Sequence, residues 1–165
     1  MRVKDVFKIP KTVAEAGEWK VVTGRAGRMA RSSFPLTARD SLVLGRRWHW
    51  RVDVLDSKGT RLRLLTAFDP SHEEFRAWLS YPRDGDHAII AQLEFHGTHP
   101  GWHCHAACSE ISEIEGGQTR PRSFIRMPGS TRWHRRTEFE ITERSGLAFA
   151  FEFFRVTGTP EGQLI

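Results

Sequence analysis

The stretch His87-Ala-Ile-Ile-Ala-Gln-Leu-Glu-Phe-His96 alternates along its length: Ile89, Ala91, Leu93 and Phe95 are apolar, while Gln92, Glu94 and His96 are polar. A period of two is the mark of a β-strand with one face buried. The spacing predicts a strand over 87–96 that carries Glu94 and His96 on the side away from its apolar face.

Upstream, the same rhythm recurs between turn signals. Trp48, Trp50, Val52 and Val54 alternate with His49, Arg51 and Asp53. Asp56-Ser-Lys-Gly59 reads as a turn, followed by an apolar Leu62, Leu64 and Phe68 in 61–68 and a second turn at Asp69-Pro-Ser71. Residues 74–81 fit a strand or a short helix. The alternation of Phe75, Ala77, Leu79 and Tyr81, with the even spacing of the turns, favours a strand. Near the C-terminus, Leu147, Phe149, Phe151 and Phe153 alternate, but Leu147, Phe151 and Phe154 also line one helix face behind Thr142, a suitable N-cap. A helix is favoured there. The expected class is α+β: an antiparallel meander of about four to six strands with a C-terminal helix packed on one face.

The chain of 165 residues reads as a single domain over 1–165, long enough to bury a core without metal or disulfide. No apolar run approaches about 18 residues, so no membrane span is expected. The start lacks a secretion signal, and the only cysteines are Cys104 and Cys108. A reducing, cytoplasmic setting is the simplest expectation.

The net charge of +5 is uneven. Residues 19–51 carry net +7 and residues 116–137 net +6, leaving −8 on the rest. Arginine outnumbers lysine twenty to five, and its planar fork suits phosphate. Much of both basic stretches, 24–47 and 116–131, is rich in Gly, Ser or Pro and is expected to form long loops. Arg120, Arg122, Arg126, Arg132, His134, Arg135 and Arg136 are candidate anion- or nucleic-acid-binding residues, and Trp48, Trp50 and Trp133 could stack on bases.

Downstream of the strand, the run from His96 to Cys108 holds four of the eight histidines: His96, His99, His103 and His105. If 102–108 is extended, His103 and His105 share one side and Trp102, Cys104, Ala106 and Cys108 the other, with Gly97, Pro100 and Gly101 turning the chain. Neutral imidazoles beside a carboxylate suit a divalent first-row metal such as Zn²⁺. The expected ligands are His96, His103 and His105, with Glu94 or His99 assisting catalysis. Cys104 is a candidate nucleophile or a buried core residue. The functional expectation is a metal-dependent hydrolase for a phosphate-containing or nucleic-acid substrate. The alternative is a non-catalytic module that binds nucleic acid or protein and uses its histidines structurally.

Two family resemblances touch this segment. Gly97-x5-His103-x-His105-x4-Glu110-x6-Gly117 resembles the first metal motif of the cupins, which implies an all-β, cupin-like barrel; a matching second motif is absent, Pro128–His134 being a poor fit. Tyr81-Pro82, His99-Pro100 and Cys104 follow an order similar to that in the ubiquitin-conjugating fold, which implies Cys104-based chemistry; the Asn after His-Pro is Gly101 here, and Cys104 comes early.

Overall fold

A computed structural model describes residues 1–22, 42, 44–96, 99–127 and 140–158. Most of the 24–47 stretch, residues 128–131 of the second expected loop, and Trp133 lie outside these. In chain order the elements are α1 (Val3–Lys8), β1 (Lys11–Glu15), β2 (Lys20–Val21), β3 (His49–Ser57), β4 (Thr60–Asp69), β5 (Glu74–Arg83), β6 (Asp86–His96), β7 (His99–Ala107), a 3-10 turn (Ile111–Glu113), β8 (Phe124–Arg126), α2 (Glu143–Phe153) and β9 (Val156–Thr157).

The class is α+β and rich in strand. One large mixed sheet runs in the order β8-β7-β6-β5-β4-β3-β1-β9, with β2 also paired to β3. Neighbours from β3 to β8 are antiparallel, β1 is antiparallel to β3, and β1 is parallel to β9. Among the described residues β8 and β9 end the sheet without pairing to each other, so these strands do not close the cupin-like barrel of the alternative expectation. Both tight turns have positive φ at their two central positions and place glycine second: Lys58 and Gly59 lie at 52° and 83°, Asp84 and Gly85 at 53° and 74°.

Residues 74–81 are strand, within β5. Residues 124–126, expected in a loop, form the short edge strand β8. The C-terminal aromatic stretch is helical from Glu143 to Phe153. Thr142 caps it by accepting from the Ser145 amide at 3.1 Å, while the Thr142 amide donates to Ser145 Oγ at 2.9 Å.

Helix α2 lies on the sheet face formed by Leu64, Phe68, Phe75, Ala77, Leu79, Leu93, Trp102 and Cys104, all buried in one apolar cluster with Phe151 and Phe154. Phe149 stacks on Trp102 with ring centroids 4.0 Å apart. The opposite face has its own, smaller cluster of Leu44, Trp48, Leu65, Ala67, Trp78 and Ile89. Ile89 belongs there, and not with Ala91, Leu93 and Phe95 as strict alternation suggests. The β5·β6 register shifts between Leu79 and Ser80, leaving Ile90 as an extra residue that reverses the alternation on its N-terminal side.

Lys11 is fully buried, and its ammonium donates to the carbonyls of Val6 (2.7 Å), Ile9 (2.9 Å) and Phe154 (2.8 Å). All three hydrogens are used. Two of the carbonyls close α1 and the third closes α2, where a cation suits the helix ends.

Gly146 faces Phe75 so closely that an added Cβ would sit 2.2 Å from Cδ2 of that fully buried ring. Gly→Ala within a helix ordinarily stabilises by reducing chain entropy. Here Gly146→Ala is expected to destabilise by about 1–3 kcal/mol through overpacking, read as a lower denaturant midpoint. A second expectation concerns acid. Burial, then the charge of Arg63, lowers the pKa of His87 from 6.5 to about 4; its Nδ1 lies 3.1 Å from Ser80 Oγ. Between these two values the unfolded chain takes up a proton that the folded chain refuses. Stability is therefore lost as pH falls through the window. His87→Gln should show a smaller drop in urea midpoint than the unaltered protein between about pH 7 and about pH 5.

Candidate metal centre

Strands β6 and β7 place the histidine cluster. Their ladder pairs Gln92 with His105, Leu93 with Cys104, Glu94 with His103 and Phe95 with Trp102. Side chains directly opposite in a ladder share a face. Glu94 and His103 are therefore neighbours on the side away from α2, and His96 joins them from two residues along β6. Leu93, Cys104, Phe95 and Trp102 turn the other way, into or against the helix-side core.

The side-chain atoms converge. His103 Nε2 lies 2.8 Å from Glu94 Oε2, and His96 Nε2 lies 3.9 Å from the same oxygen. The rings of His96 and His103 meet edge to face at 4.8 Å. One potential ligand atom from each of Glu94, His96 and His103 lies within 4.8 Å of the others. The three side chains are 15%, 19% and 7% exposed, so the group is sheltered without being sealed. His103 Nδ1 is buried and has no hydrogen-bond partner among the described residues.

Burial pulls the pKa of His103 below the ordinary imidazole value, with Arg126 adding to the effect and Glu94 opposing it. Burial also lowers that of His105, helped by Arg120 and Arg126. For both imidazoles burial favours the neutral form.

The group of side chains that converges differs from the expected ligand set in one member. His105 lies one step along β7, opposite Gln92, with its ring 5.4 Å from that of His103. It is outside the convergent group, and Glu94, expected to assist catalysis, takes that place. His99 opens β7, its backbone paired with His96; its side chain lies outside the described residues. Glu110, part of the cupin-like motif, bonds instead to the N-terminal amine at 2.9 Å and to Arg2.

Cys104 is fully buried, and burial pushes its thiol up to about 12. A buried thiol with so high a pKa favours the core residue over the nucleophile among the two expected roles. Cys108, placed by alternation on the same buried side, is exposed because β7 ends at Ala107.

Of the basic candidates, Arg126 sits on β8 opposite His105, and Arg120 is close enough to lower the pKa of His105. Both are exposed, and neither forms an ion pair among the described residues. Arg122 lines a separate cavity of about 350 Å³ with Ser109, Glu113, Gln118 and Ser123. Arg132, His134, Arg135 and Arg136 lie outside the described residues. Trp48 is buried beneath the Arg76 guanidinium, 5.2 Å from its ring centroid, which leaves it no open face like that of a base-stacking residue.

Two residues near the centre carried no role in the sequence reading. Gln92 donates from Nε2 to Glu94 Oε1. Arg76 is the cross-strand neighbour of Glu94 on β5, yet its guanidinium turns to Glu74 at 3.2 Å and to Trp48. The i, i+2 spacing of Gln92 and Glu94 was the available signal for the first.

The two thiols should behave oppositely. In native protein a thiol reagent is expected to modify Cys108 alone, with Cys104 reacting only on unfolding; rapid native modification of both, seen by mass spectrometry, would contradict the burial of Cys104. No protein-family model matches this chain, and no curated protein or solved structure matches it.

Proposed function

We propose that this chain binds a divalent first-row metal ion, Zn²⁺ being the simplest choice, through Glu94, His96 and His103. The observation that carries this reading is the convergence of one carboxylate oxygen and two imidazoles on a sheltered patch of sheet. Two histidines and one carboxylate form a common catalytic ligand set that leaves a position open for water. An ion so held lowers the pKa of its water toward about 7 and supplies a nucleophile for hydrolysis.

The neighbouring charge supports a substrate class. Arg126, opposite His105 on β8, and Arg120, near His105, have no acidic partner among the described residues. Guanidinium groups beside a metal-bound water suit a phosphate ester, free or within a nucleic acid. A reducing, cytoplasmic location agrees with two free cysteines. Among the described residues no helix is long and apolar enough to cross a membrane.

A second reading, a nucleic-acid-binding module with structural histidines, draws on Lys20 set over the half-buried Trp50 with Nζ 5.2 Å from the ring centroid. The two readings part on chelation. Tag-free protein is expected to retain about one metal ion per chain, to lose it in His103→Ala, and to hydrolyse a chromogenic phosphodiester in a chelator-sensitive manner. Substoichiometric metal in tag-free protein, with His103→Ala indistinguishable from the parent, would end the metal reading. Nucleic-acid binding that survives chelation and falls steeply with salt would then support the second.

A further inference from the structure

Resting on the metal reading above, we propose that Gln92 is the positioning residue of the centre: it holds Glu94 so that only Oε2 faces the ion. Gln92 and Glu94 are two apart on β6 and share its face, so the amide reaches the carboxylate without any bend of the backbone. Gln92 Nε2 donates to Glu94 Oε1. That leaves Oε2 as the oxygen near His103 Nε2 at 2.8 Å and His96 Nε2 at 3.9 Å.

The amide is itself confined. Its cross-strand neighbours are Trp78 on β5, which is 3% exposed, and His105 on β7. Bulky neighbours on both sides restrict its rotamers and, through it, those of Glu94.

The charge of the donor matters as much as its position. Arg76 lies directly across from Glu94 and could have formed an ion pair with it. It pairs with Glu74 and covers Trp48 instead. An arginine on Glu94 would cancel the negative charge that a cation needs. A neutral amide fixes the carboxylate and leaves that charge intact. The polar partners behind metal ligands orient them in this way and typically change affinity by about 10–100-fold when removed. Glu94 then offers one oxygen, and the coordination positions facing solvent stay open.

The test uses Co²⁺ as the probe, on full-length tag-free protein, with affinity from chelator competition and geometry from the visible absorption spectrum. Gln92→Met keeps the side-chain length and removes the donor. It is expected to weaken Co²⁺ binding by about 10–100-fold and to alter the Co²⁺ spectrum. The same change in a Glu94→Ala background is expected to cost nothing further, because the amide acts through Glu94. Circular dichroism of the metal-free variants checks the fold, and Gln92→Ala carries the same test if Gln92→Met does not fold. Unchanged affinity in the Gln92 variants, or an equal loss with and without Glu94, overturns this proposal while leaving the metal reading standing. Failure of the unaltered protein to bind Co²⁺ overturns both.

Discussion

The pairing of Glu94 with His103 across the β6·β7 ladder is the constraint on which the rest of this half of the molecule depends. Because side chains alternate strictly, a slip of one residue would send His103 into the helix-side core and Cys104 to the other surface. The register is held from the apolar side. Phe95 opposite Trp102, and Leu93 opposite Cys104, interlock beneath α2, where Phe149 stacks on Trp102. Burial on one face thus fixes the geometry of a polar group on the other.

His103 and Cys104 show how sharply that constraint divides neighbours. They adjoin in the chain and face opposite environments. His103 meets a carboxylate and a second imidazole. Cys104 packs in the core, where its Sγ donates to the His105 carbonyl at 3.5 Å and burial raises its pKa. The face bearing the histidines is not uniformly polar either. Trp48, Trp78, Leu65 and Ile89 make it apolar on one side, so the Glu94 group sits at a boundary between packed hydrocarbon and open charge. That setting strengthens electrostatic interactions relative to water while keeping a route for a ligand.

Period-two alternation made the central strands, their turns, and the separation of Glu94, His96 and His103 from Trp102 and Cys104 legible in the sequence. Thr142 likewise announced the start of α2. What escaped was set by partners distant in the chain. The extra residue at Ile90 is a matter of β5·β6 pairing and leaves no local mark. Strand β8 is three residues of ordinary composition that become strand because β7 offers an edge. Choosing between Glu94 and His105 needed the register: both lie on the right face, but only Glu94 stands directly opposite His103. Lys11 reads as a surface residue in any local pattern. Its burial follows from three carbonyls, one contributed by Phe154.

The seat of Lys11 also bears on when this protein is able to finish folding. Its bond to the Phe154 carbonyl spans 143 residues, and the parallel pairing of β1 with β9 joins Lys11 to Val156 and Thr12 to Thr157. The strands from β3 to β7 can assemble by hairpins in the order of their synthesis, each on the last. The first strand cannot complete its pairing until residues near 157 have left the ribosome. Until then the lysine side chain lacks one acceptor and the apolar side of α1 lacks Phe154. The pairing of β1 with β9 is therefore a long-loop contact, the kind whose entropic cost slows folding.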